Sequence, residues 1–288
     1  MGRVGIVTDT TACVPASLAA ELDIEVIPVF LTVGDHVFED GQSGPTAAFY
    51  EKLRSSSEPA TTAAPSPGVY AQAILRAGEG CQAVLCITVS RQFSAMYDAA
   101  AQGAALVREQ RPDLDVRILD SGAAAMAQGF VTIEAARAAQ EGRAIDEVII
   151  RAEALMPRVQ LVVVLDTLSY LARTGRVPRL VIWAAGPLRV KPFVAFQRGV
   201  YRPIGVSRTT RGAIDRLCQA LENRTKGNGA LHVCVHHTNV PELAEQLAQR
   251  VRERFQPVEL IVQEFTQVMG VHTGPGLLGF AFYTEPGP

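Results

Sequence analysis

Short apolar runs alternate with polar loops and longer amphipathic stretches through the first half of the chain. Val4–Val7 is an apolar run ending in Thr8-Asp9-Thr10-Thr11, and Pro15 then opens a helix reaching Leu22. Ile24–Val33 gives a second strand, interrupted at Pro28, which has no N–H for a ladder. Gly34–Pro45 is polar and glycine-rich, with Asp40-Gly41 as a turn signal, and Ala47–Leu53 reads as a helix. Ala83–Ile87 and Val116–Leu119 are buried-strand runs. Each leads through a polar loop into an alanine-rich helix, Ser94–Glu109 and Ala124–Gln140 respectively, and the helix Ile145–Leu155 closes this half. Recurrence of strand, loop and helix predicts an α/β domain, Rossmann-like, with a parallel sheet covered by helices on both faces.

After Pro157 the rhythm changes. Leu161–Leu165 is a strand run, Thr167–Ala172 a short helix, and Arg173-Thr174-Gly175-Arg176-Val177-Pro178-Arg179 a basic turn. Val190–Phe196 and Val200–Val206, separated by Gln197-Arg198-Gly199, read as a β-hairpin. The helix Arg211–Leu221, strand Leu231–His236, helix Glu242–Arg254, strand Glu259–Phe265 and strand Leu277–Tyr283 follow. Hairpins mixed with helices predict an α+β domain with a mixed sheet. The expected division is 1–158 and 159–288.

Composition narrows the function. The 288 residues are 48% hydrophobic with a formal net charge of −2, so no basic excess attracts nucleic acid or an anionic membrane. No apolar run approaches the length of a membrane span. Met1-Gly2-Arg3 runs straight into Val4, so no signal peptide is expected, and Ile6 stands where a myristoylation signal needs Ser or Thr. Five scattered cysteines with no Cys-x-x-Cys fit a reducing cytoplasm.

Ligands of parallel α/β units sit at the carboxyl ends of the strands, which directs attention to the polar loops there. Asp9 is a site candidate or a helix cap. The hydroxyl-rich stretch from Ser55 to Ser66 is a solvated surface linker or a binding loop. Ser90 and Ser94 lie where strand gives way to helix, and free N–H groups there suit a carboxylate, although a serine there is equally an N-cap. Near the carboxyl end, His272 and Thr273 precede Gly274-Pro275-Gly276, a turn on which an imidazole can grip a small anion.

Several familiar chemistries fail. Gly274–Gly279 matches G-x-G-x-x-G, yet a strand follows where a dinucleotide site needs a helix. His232, Cys234 and His236 share one face of a strand, but no second cluster completes a four-ligand metal set. Ser94, His272 and Asp9 or Asp120 can be written as a serine hydrolase triad, without the G-x-S-x-G elbow. The chain has polar anchors and much apolar surface, but no convincing catalytic engine.

These residues together resemble the DegV family of fatty-acid-binding proteins. The resemblance rests on Ile6-Val7-Thr8-Asp9-Thr10-Thr11, Thr62-Ala63-Ala64-Pro65-Ser66, Ser90–Tyr97 and Asp120-Ser121, then on Thr167–Leu171 with Gly175-Arg176-Val177, Lys191-Pro192 and His272–Gly276. It implies two domains with a fatty acid in a tunnel between them, its carboxylate presented to a separate fatty acid kinase for acyl-phosphate formation, with no cofactor and no catalysis by this chain. Carried over, the carboxylate grip falls on Thr62 with Ala63, on Ser94 with Ala95, and on His272 with Thr273 and Gly274. Arg176 matches the arginine that engages the kinase or its phosphate. Ala63 stands where the family usually has Ser, and Ala95-Met96 where it has Gly-Thr, so one head-group donor is lost. The alternatives are a serine acyl-hydrolase using Ser94 and His272, and a stand-alone lipid sensor with no kinase partner.

Overall fold

The computed structural model describes residues 3–41, 47–56, 60–173, 190–225 and 229–286. These fall into two compact units. The first takes in 3–32, 37–41 and 62–159, and the second takes in 33–36, 47–56, 60–61 and the described residues from 160 onward.

The first unit is built on a four-stranded parallel sheet. Its elements are β1 (Val4–Asp9), α1 (Ala16–Glu21) and β2 (Ile24–Ile27), then α3 (Pro67–Ala77), β6 (Ala83–Thr88), α4 (Met96–Gln110), β7 (Asp115–Asp120), α5 (Met126–Gln140) and α6 (Ile145–Leu155). Between β2 and α3 in the chain come β3 (Phe30–Val33), β4 (His36–Glu39), α2 (Ala47–Ser55) and β5 (Thr61–Ala63), of which the strands form a short sheet ordered β4-β3-β5. The parallel sheet has the order β2-β1-β6-β7, with Ile6 opposite both Ile24 and Leu85 and with Cys86 opposite Ile118. Every residue of β1 and β6 is buried, which requires cover on both faces and explains why these strands read as unbroken apolar runs. Helices α3 and α4 pack together and against the sheet, as do α5 and α6.

Two elements differ from the sequence reading for local reasons. The stretch after Ser66 is the helix α3, with Pro67 at its first position and Ser66 Oγ accepting from Val69 N at 3.4 Å, a proline-initiated cap. His36–Glu39 is a strand within a stretch read as polar turn, because a short exposed strand shows no apolar alternation.

The second unit holds a six-stranded mixed sheet, ordered β10-β9-β8-β13-β11-β12. Its elements are β8 (Gln160–Val164), α7 (Ser169–Arg173), β9 (Lys191–Gln197), β10 (Val200–Ser207), α8 (Thr210–Arg224), β11 (Leu231–His237), α9 (Pro241–Phe255), β12 (Glu259–Glu264), α10 (Gln267–Thr273) and β13 (Leu278–Thr284). The hairpin β9–β10 turns at Arg198 and Gly199, both at positive φ, with a bulge between Pro203 and Gly205. Strand β13 lies between β8 and β11, antiparallel to both, and β11 pairs with β12 in parallel. Val162, Val233, Val235, Phe280 and Phe282 from the sheet meet Leu217, Leu247 and Val251 from α8 and α9 in one buried core. The fold is therefore a mixed α/β one, with a parallel four-stranded sheet and a separate mixed six-stranded sheet.

Candidate functional site

The carboxyl-end loops of β6 and β7 are knitted together by backbone and short side chains. Ser90 N donates to Ala123 O at 2.9 Å and Ser121 N to Thr88 O at 3.1 Å. Asp120 Oδ1 accepts from Gly122 N at 2.9 Å and from Arg91 N at 3.3 Å, so this carboxylate organises both loops. Ser94 then precedes α4, half-buried, with Oγ accepting from Met96 N at 3.3 Å. Among the described residues its own O–H donates to nothing, which leaves a donor beside the free N–H groups of the first helical turn. Ala95 beside it is exposed and makes no side-chain cap. The Arg91 guanidinium lies 4.3 Å over the Tyr97 ring and 3.1 Å from Asp98. Thr62 is half-buried in β5, with Ala63 exposed after it.

Asp9 takes the capping role. It is buried, and Oδ1 accepts from Thr11 N at 2.9 Å and from the Thr11 hydroxyl, while Gln128 Nε2 lies 3.4 Å from Oδ2. Loss of solvation pushes its pKa up to about 6, against the pull of the Thr11 and Gln128 hydrogen bonds.

In the second unit His272 is half-buried in the last turn of α10, a helix where a bare turn was expected. The helix ends because Gly274 adopts φ 71 and ψ 174, a conformation that is almost exclusively glycine's, while its N–H still reaches Gly270 O. A β-carbon on Gly274 would lie 2.2 Å from the Tyr170 ring, so the glycine also admits that aromatic side chain. The Thr273 hydroxyl turns back to Met269 O at 3.1 Å. Thr238, just past β11, bonds repeatedly to the turn after Thr273, and nothing in the sequence pattern had marked it.

The other sequence candidates resolve differently. His232 stacks on Tyr283 with ring centroids 4.4 Å apart, and its Nδ1 and Nε2 lie 2.8 Å from Glu259 and 3.1 Å from Glu285. His236 is buried, with Nδ1 2.9 Å from Gln263 O, and burial pushes its pKa down to about 4. Among the described residues no group of three or more His, Cys, Asp or Glu is arranged to hold a metal. Arg176 and most of the basic turn lie outside the described residues. Among the described residues no helix is long and apolar enough to cross a membrane.

A two-unit α/β protein with hydroxyl-bearing loops at strand ends and no metal cluster among its described residues is the class defined so far. The model of the family described as "uncharacterised protein, DegV family" matches residues 3–285, and the chain belongs to the DegV family. A DegV domain-containing protein of Streptomyces coelicolor is 34% identical over 279 residues, covering 96% of this chain and 97% of its own length. Among solved structures, a fatty-acid-binding DegV family protein from Thermus thermophilus superposes with a TM-score of 0.90 at 25% identity, over 98% of this chain and 100% of that one. DegV of Bacillus subtilis, a fatty acid binding protein, superposes with a TM-score of 0.87 at 26% identity, over 99% and 100%.

Proposed function

We propose that this chain binds one long-chain fatty acid and presents its carboxylate to a fatty acid kinase in the cytoplasm, without turning over acyl groups itself. The observation that carries the reading is the full-length likeness to two fatty-acid-binding DegV structures. In this reading the functional halves are domains 1–158 and 159–288, and the acyl chain runs in a tunnel between them, as the family resemblance implies. The first supplies the Thr62 and Ser94 hydroxyls beside Ala63 and Ala95. The second supplies the His272 imidazole beside Thr273 and Gly274. Arg176 engages the kinase.

The physical chemistry supports an acyl ligand. Burying about 15 methylenes contributes up to roughly 12 kcal/mol before ordering costs, so the head group needs only a few donors to fix orientation. Ser94, with an undirected O–H at the start of a helix, suits an anionic oxygen.

Organic extraction and native mass spectrometry of the purified chain test the reading by finding one bound fatty acid per chain. Ser94→Ala and His272→Ala should each weaken fatty-acid binding, and the double variant should lose less than the sum, because both donors act on one carboxylate. Ester hydrolysis abolished by Ser94→Ala would replace the carrier with the serine acyl-hydrolase. Arg176→Ala should leave affinity intact while reducing phosphorylation of the bound acid by a cognate kinase.

A further inference from the structure

We infer that Thr238 is the positioning residue for His272, through the turn that follows α10; the inference rests on the reading that His272 meets a fatty-acid carboxylate. Thr238 is wholly buried, one residue beyond β11. Each of its polar groups is directed at the stretch Gly274–Leu277. Its N–H donates to Leu277 O at 3.1 Å, and its carbonyl accepts from Gly276 N at 2.8 Å. Its Oγ1 accepts from Leu277 N at 2.8 Å and donates to Gly274 O at 2.7 Å. The hydroxyl thus closes on both ends of the turn at once, and only a hydroxyl both donates and accepts from one atom of this size.

The turn needs such a fastening. Helix α10 has only seven residues, too few to hold its own shape, so its last turn is placed by the packing of buried Val268 and Val271 and by what anchors the chain on either side. On the upstream side Phe265 N donates to His237 O at 2.9 Å. On the downstream side Thr238 Oγ1 donates to Gly274 O, two residues beyond the imidazole. Gly274 N donates back into the helix, to Gly270 O at 2.7 Å, and its carbonyl ties the turn to Thr238. Thr238's neighbours in the chain both approach Glu264: His237 Nδ1 lies 3.9 Å from it, and Asn239 N donates to its Oε1 at 2.9 Å.

A merely structural role for Thr238 is distinguishable from a positioning role. The register of β13 on β11 is set by pairs running from Leu231 with Thr284 to His237 with Leu278, none of which needs the Thr238 hydroxyl. Thr238→Val keeps the shape and the backbone bonds but takes the hydroxyl from Leu277 N and leaves Gly274 O only the longer bond from the Thr273 hydroxyl, at 3.5 Å. The sheet should survive while the turn shifts, and His272 with it.

The test compares wild type, Thr238→Val, Thr238→Ser and His272→Ala, with palmitate as the probe and the histidine resonances recorded by NMR. Thr238→Val should keep the wild-type circular dichroism, weaken palmitate binding about tenfold, the scale of a lost hydrogen bond, and move the His272 imidazole resonance. Thr238→Ser should restore both. In the His272→Ala background, Thr238→Val should have no further effect on affinity, because its effect acts through the imidazole. Equal losses in both backgrounds, or a His272 resonance unmoved by Thr238→Val, would overturn the inference. Should wild type fail to bind palmitate, the fatty-acid reading falls and the resonance alone decides the positioning role. Should the valine variant not fold, Thr238→Ala removes the same hydroxyl without added bulk and is read against the same outcomes.

Discussion

Gly103 in α4 faces Tyr70 in α3 so closely that a β-carbon on the glycine would lie 2.7 Å from the Tyr70 β-carbon and 2.7 Å from Pro67 O. The two helices meet backbone to backbone at this point, which settles how α4 descends from the loop carrying Ser94. Gly103→Ala should therefore destabilise the protein by about 1 kcal/mol or more. The overpacking cost of about 1–3 kcal/mol exceeds the gain of up to about 1 kcal/mol from alanine's better helix propensity. Urea unfolding of the variant measures the balance, and an unchanged midpoint would show that α3 and α4 separate freely.

Tyr70 offers the opposite outcome from the same contact. Its ring is fully buried, but among the described residues its hydroxyl has no hydrogen-bond partner. An unsatisfied buried hydroxyl costs about 1–3 kcal/mol, so Tyr70→Phe should leave stability unchanged or raise it by about 1 kcal/mol. A loss of more than about 1 kcal/mol in thermal or urea unfolding would mean that the hydroxyl makes a bond in solution.

Much of this fold is written in local pattern. The helix Ile145–Leu155 spans the residues its periodicity marks, and the hairpin β9–β10 turns at the Arg198-Gly199 pair that separates its two apolar runs. Buried strands such as β6 declare themselves because both faces are covered. Short helices were harder. Gln267–Thr273 mixes apolar residues with Gly270, where a β-carbon would strike the Tyr50 hydroxyl at 2.5 Å, and so lacks an amphipathic stripe. The helix start at Ser94 and the glycine turn beside His272 were legible residue by residue. Thr238 was not, because its bonds reach Gly274 and Leu277, 36 and 39 residues away, and such bonds leave no periodic trace.

Ala63 is exposed at the end of β5, so a hydroxyl added there meets no packing penalty. The family resemblance puts a serine at this position, beside Thr62, as a head-group donor. Ala63→Ser should tighten fatty-acid binding about tenfold, the lower end of what a hydrogen bond to a charged group contributes at about 1.5 kcal/mol. Titration of both proteins with the same fatty acid decides it. Equal affinities would remove the Thr62–Ala63 segment from the head-group site.

Asp9 and His236 should give the protein two opposing pH dependences. Burial raises Asp9 from 3.8 to about 6, so on raising the pH the unfolded chain loses this proton first. The stability Asp9 contributes is fully present below its unfolded pKa and is lost as pH climbs to about 6, a change on the order of 3 kcal/mol. Tyr70 and Cys86, the titratable groups facing it, are pushed upward by the same burial and stay neutral throughout this window. His236 runs the other way. Burial lowers it from 6.5 to about 4, so the unfolded chain holds the extra proton and stability rises with pH over that interval. Because the windows overlap, the wild-type profile between pH 4 and about 6 should be shallow. Asp9→Asn removes one limb. Its Oδ1 still accepts from Thr11, and turning the Gln128 amide to meet the new N–H₂ group gives up the Nε2 bond to Thr8 Oγ1 at 3.2 Å, a cost that does not vary with pH. Stability of the variant relative to wild type should therefore climb between pH 4 and 6 and then level off. Chemical unfolding of both proteins across that range measures the difference, and a difference independent of pH would place the Asp9 carboxyl outside the titrating window.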